Sequence, residues 1–186
     1  MKKFKLFHWV SGVLLLSTLL MSNRCHDPLW DNDSSYKPNR EGIPESQYLT
    51  TLPEKAFQSK VVGTGWRLQN IRVIKPGTYE LEDVSAIVSS KITPHSLYFS
   101  NDSVTVFSYL PTKNLRWGKP YTYFPQKNTV KTDALPYLQI EQVSSYLTTV
   151  EYLYTDNKGQ KVYGQLNYEP MNDYELAALW RGFKEE

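Results

Sequence analysis

Sulfur and imidazole are scarce in this chain. Its one cysteine, Cys25, leaves no internal disulfide to form, and of the three histidines only His26 and His95 follow that cysteine. With no cysteine pair, no His-x-x-x-His spacing and no glycine-rich phosphate loop, zinc, thiol-redox and nucleotide motifs have nothing to be built from. No metal or cofactor is expected. A histidine-based triad is equally hard to assemble, and His95, following Pro94 where an extended stretch begins, reads as a surface or turn histidine.

Long apolar runs are lacking too. The longest, Trp9 to Met21, is interrupted by Ser11, Gly12, Ser17 and Thr18 and falls short of the roughly 20 residues that span a bilayer as a helix. Lys2, Lys3 and Lys5 precede it, so residues 1–24 have the layout of a signal peptide. Cys25 stands just after and resembles the acceptor cysteine of bacterial lipoproteins, whose sulfur carries diacylglycerol, although Arg24 departs from the small residue usual before it. That resemblance implies a membrane anchor through Cys25 and a place in the cell envelope, at the outer membrane. Asp27, Asp31 and Asp33 resemble the surface-export signal of lipoproteins in the Bacteroidota, and read equally well as a solvated linker, so the leaflet stays open.

Basic charge is short once the signal is set aside. Lys2, Lys3, Lys5 and Arg24 precede Cys25 with no acid among them, and taking these four charges off the formal +2 leaves −2. No basic cluster follows that could track a phosphate backbone, which argues against nucleic acid as a partner.

What is abundant is tyrosine, fourteen residues with five tryptophans, in a chain whose leucines and valines fall in short runs. That mixture favours strands. Residues 25–49 are polar and turn-rich without periodicity and read as a flexible tether, which leaves 50–186 as the folded domain. Thr51-Leu52-Pro53-Glu54 has the spacing of a capping box and predicts a short helix over 53–62, ended by Gly63. Alternation then predicts strands from Trp66 up to Pro76-Gly77, with Trp66, Leu68 and Asn70 on one face, and over 78–82. Residues 83–92 are ambiguous, since Val84, Ile87 and Val88 fit helical spacing while Ile87, Ser89 and Lys91 could alternate, and they are read as irregular. Leu97-Tyr98-Phe99 and 104–109 form a hairpin around Asn101-Asp102; 111–118 reads as a loop carrying Leu115 and Trp117; strands follow over 120–124, 129–132, 137–141 and 146–154. Asp156-Asn157-Lys158-Gly159 is the strongest hairpin turn, with Gly159 where positive φ is needed, leading into 161–168. A second capping box, Asn172 with Glu175, opens a helix with Leu176, Leu179, Trp180 and Phe183 on one face, suited to packing on the sheet.

Eight or nine short strands in an antiparallel meander need their edges paired, and closing into a barrel does so; an open sheet or sandwich is the alternative. With Gly63-Thr64-Gly65-Trp66 opening the first strand after a short helix, and a long terminal hairpin, residues 50–186 resemble the lipocalin-like lipoproteins of the Bacteroidota. The resemblance implies that Trp66 is structural, closing one barrel end, while the other opens on an apolar pocket. It carries no ligand set.

A carboxylate pair is the one hydrolytic route left, with Glu80, Glu82 and Asp83, or Glu141 and Glu151, as candidates. Solvated strand faces are their ordinary use. Tyrosine and tryptophan better suit binding, and Trp117 with Tyr121 and Tyr123 is the candidate contact cluster, packing within the sheet being its competing reading. The expectation is a lipid-anchored, lipocalin-like binder of a small apolar or carbohydrate ligand, without catalysis. Its rival is an accessory subunit of an envelope protein complex with a filled barrel.

Overall fold

The computed structural model describes residues 35–84 and 90–186. The stretch read as a signal peptide, Cys25, His26, Asp27, Asp31 and Asp33, and part of the ambiguous 83–92 stretch lie outside the described residues. A hairpin of β1 (Tyr36–Pro38) and β2 (Pro44–Ser46) comes first, then α1 (Glu54–Lys60) and β3 (Gly65–Ile74), with short β4 (Leu81–Asp83) on the far end of β3. The remaining strands are β5 (His95–Phe99), β6 (Ser103–Tyr109), β7 (Asn114–Phe124), β8 (Thr129–Thr132), β9 (Leu138–Val143), β10 (Leu147–Thr155) and β11 (Lys161–Pro170), followed by α2 (Asp173–Gly182) and β12 (Lys184–Glu185).

Strands β3 and β5 through β11 pair antiparallel in that order, and β11 returns to β3 from Trp66↔Pro170 to Ile74↔Tyr163. The sheet is therefore a closed eight-stranded barrel, consistent with a lipocalin-like one, and closure removes the edges a meander would expose. Alternation fills it. Trp66, Leu97, Phe99, Val104, Val106, Val130, Leu138, Ile140, Leu147 and Leu166 point inward and are almost wholly buried. Helix α1 plugs one end: Phe57 stacks on Tyr123 at 4.1 Å and 10°, and meets Phe99 and Tyr121 edge-on. At the other end Val73, Ile92 and Val162 pack together with Val84 and Leu153.

Helix α2 lies on the outer wall of β5 and β6. Its capping box forms, with the Glu175 amide donating to Asn172 and the Asn172 amide donating to Glu175, each at 3.0 Å. Trp180 stacks edge-on against Tyr98 and Phe107, and Phe183 against Phe107 and Tyr109. A Cβ on Gly65 would come within 2.9 Å of Leu176, so the glycine lets this helix sit close. Beyond it β12 runs parallel to β7 at Leu115 and Arg116, residues that β8 leaves unpaired.

Several expectations change. The Thr51 capping box does not form: Pro53 holds the cap position, without a side-chain hydrogen bond. Residues 36–46, expected within the flexible tether, form a hairpin whose Tyr36 is 2 % exposed. The 111–118 loop is mostly strand, since β7 runs unbroken through Leu115, Trp117 and Pro120. Pro120 falls where the β6 ladder ends, at Ser103↔Pro120, and the β8 ladder begins, at Tyr121↔Thr132, so its missing N–H interrupts neither. In β3 an extra residue, Gln69, bulges between Leu68 and Asn70 and shifts the alternation, which puts Ile71 on the core side with Trp66 and Leu68.

Candidate functional site

Of the residues singled out in the sequence, Trp66, Gly63, Tyr121 and Tyr123 sit at the plugged end, and Gly159 lies in the β10–β11 turn at the other. Trp66 is buried and its indole N–H donates to the Val61 carbonyl at 3.2 Å. Gly63, at φ +80°, turns the chain out of α1 so that its own N–H reaches the Phe99 carbonyl at 2.7 Å. Gly159, at φ +78°, completes the turn whose Asp156 side chain accepts from the amides of Lys158 and Gln160.

Trp117, Tyr121 and Tyr123 come together, packed partly buried against the barrel core. Their polar ends are engaged within the chain: Trp117 donates to Ala134 O at 3.1 Å, Tyr121 to Ser100 O at 3.0 Å and Tyr123 to Leu52 O at 2.7 Å. Burial pushes the Tyr123 phenol up to about 12, so it stays a neutral donor. Packing and chain closure account for every one of these bonds.

A polar quartet that the sequence did not reveal lies inside the barrel. His95 is not at the surface: its side chain points inward from β5, and Nε2 lies 2.9 Å from Glu151 Oε2. Tyr168 donates to Glu151 Oε1 at 2.8 Å and Thr149 donates to the same oxygen at 2.7 Å, while the Tyr168 hydroxyl is 3.0 Å from His95 Nε2. His95 Nδ1 faces the Thr93 carbonyl at 3.3 Å, so both ring nitrogens meet acceptors and the doubly protonated ring satisfies both. Burial works against that cation, but the charge and hydrogen bond of Glu151, with the Thr93 carbonyl, outweigh it and raise the His95 pKa. Burial, then the neighbouring Glu151, drives the Tyr168 phenol well above its usual range. The quartet joins β5, β10 and β11 across the lumen with its hydrogen bonds turned inward.

Glu141, also expected on a solvated face, is half-buried on the opposite side of the wall. The Tyr36 hydroxyl donates to its Oε2 at 2.7 Å, and the Gln165 amide bridges Tyr36 at 2.7 Å and Glu141 at 3.0 Å. Burial raises the Glu141 pKa against the pull of Gln165, Tyr36 and Ser46. The β1–β2 hairpin is thus a strap, fastened over β9 and β11 by a tyrosine seated among Ile74, Val150 and Tyr163. Because Glu141 faces outward and Glu151 inward, these two carboxylates do not share a cleft. Glu82 and Asp83 pair instead with Lys75 and Arg72, at 3.4 Å each, and Glu80 is exposed.

Among the described residues no group of three or more His, Cys, Asp or Glu side chains could hold a metal ion, and no helix is long and apolar enough to cross a membrane. No family model, no curated protein and no solved structure matches the chain.

Proposed function

We propose that this chain is a lipid-anchored binding protein of the cell envelope, whose barrel is a filled scaffold and whose binding surface is on the outside. The observation that carries this reading is the packed interior: Phe57, Val61 and Trp66 plug one end, and Leu97, Phe99, Leu138, Ile140, Leu147 and Leu166 fill the middle at 0 % exposure. An apolar guest in that space would have to displace close-packed side chains. Of the two functions weighed from the sequence, a lumen ligand and an accessory role in an envelope complex, a filled barrel supports the second.

The anchor rests on the sequence: Lys2, Lys3 and Lys5, the apolar stretch, then Cys25. Cys25→Ala tests it. The variant is expected in the soluble fraction of cells and without label from a radioactive or clickable fatty acid, whereas wild type takes the label and sediments with membranes. A variant that still sediments with membranes would sink the anchor.

A further inference from the structure

On the outer face of β9, between the strap and the β7–β8 turn, lies a pocket of about 280 Å³. Arg40, Glu41 and Glu45 come from the strap, Leu49 from the segment after it, and Gln126 and Lys127 from the turn. Gln139 contributes the floor.

Both walls are held. Asn39 Oδ1 accepts from the amides of Glu41 and Ile43, and its Nδ2 donates to Glu45, which fixes the hairpin turn. Asn128, buried and at φ +49°, accepts from Leu52 N at 2.7 Å and donates to Thr50 O at 2.8 Å, tying the chain after the strap to the turn. A pocket pre-shaped in this way loses little freedom when it is occupied.

The floor lacks a partner. Gln139 is 1 % exposed, and its Nε2 donates to the Lys127 carbonyl at 2.9 Å. A carbonyl only accepts, so that bond sets which end of the amide is which, and Oε1 remains a buried acceptor with no donor. Something that brings an O–H or N–H satisfies it. Charge narrows the choice: Arg40 and Lys127 are balanced by Glu41 and Glu45, so a strongly charged ligand gains nothing from the net field. Mixed donors and acceptors around apolar Leu49 suit a molecule with many hydroxyls and an apolar face. Next to these residues in the chain, Tyr48 and Phe124 are exposed aromatics able to extend the contact. The volume lies just below the range of about 300–1,000 Å³ usual for small-molecule sites, which favours a single ring over a bulky ligand.

We infer that this pocket binds one residue of a neutral saccharide, with a sugar hydroxyl donating to Gln139 Oε1. The inference rests on the outer-surface reading above and does not depend on the anchor.

The test is calorimetric titration of the full chain, in detergent, with neutral sugars: glucose, galactose, mannose, N-acetylglucosamine and their short oligomers. At least one is expected to bind, and to bind about tenfold more weakly when its hydrogen bond to the floor is lost in Gln139→Leu. Because that change also removes the bond to the turn, Lys127→Ala and Arg40→Ala, both at exposed positions, provide a second reading, with loss of affinity at an unchanged melting temperature. Cys25→Ala should bind like wild type. Binding of none of these sugars, binding that survives all three pocket variants, or binding of sulfated and phosphorylated sugars alone would overturn the inference. A chain that ignores sugars yet co-purifies with an envelope protein would lose the pocket while keeping the outer-surface reading.

Discussion

Glu151 shows how one residue can organise a core and stay hidden in a sequence. It accepts hydrogen bonds from Thr149 and Tyr168 and pairs with His95, all inside the barrel. Removing one partner of a buried ion pair strands the other, so Glu151→Ala is expected to cost about 3–5 kcal/mol in denaturant unfolding. The pair also makes stability depend on pH. The folded His95 pKa lies above its ordinary 6.5, so its contribution is complete below that value and is lost as pH rises through the raised one. Midpoints for wild type should therefore fall between pH 6 and pH 9 relative to those of His95→Gln; equal slopes would contradict this. The alternation could not show the pair because both faces of β10 mix polar with apolar residues. Leu147 faces the lumen with Thr149 and Glu151, while Val150, one step out of phase, is equally buried under the strap. With no polar face to mark the outside, an inward glutamate reads like any other.

The elements were legible where their own chemistry marks them. The Asn172–Glu175 capping box and the Asp156–Gly159 turn appear as the pattern predicts, and the Trp66 strand forms with its alternation shifted by the bulge at Gln69. The strap and the full length of β7 were not, because each depends on contacts distant in sequence: Tyr36 finds Glu141 and Gln165, and Pro120 is tolerated only where β7 changes neighbours. The strap carries its own prediction. The docked Glu141 pKa is raised above the ordinary 4.5, so the neutral acid favours docking, and that contribution weakens as pH rises from about 4.5 through the raised value. Tyr36, Gln165 and Ser46 face the carboxyl directly, and Arg72 acts on Tyr36 from β3. Hydrogen-exchange protection of residues 36–46 should fall between pH 4.5 and pH 8 in wild type and stay level in Glu141→Gln. Protection that rises with pH would show the carboxylate to be the docked form.

At the scale of the molecule, the closed barrel was legible from a meander of short strands and the content of its lumen was not. Whether inward residues leave a hollow depends on α1 entering the end, on Trp117 reaching the Ala134 carbonyl, and on a quartet drawn from three strands. None of these is a local pattern. The filled scaffold is the claim from which outer-surface binding follows, and native mass spectrometry of the full chain, purified from its source in gentle detergent, tests it most directly. The account predicts the mass of the polypeptide, shifted only by the lipid proposed on Cys25, and no stoichiometric apolar guest; a one-to-one apolar molecule, retained by wild type and released by Phe57→Ala, would contradict it.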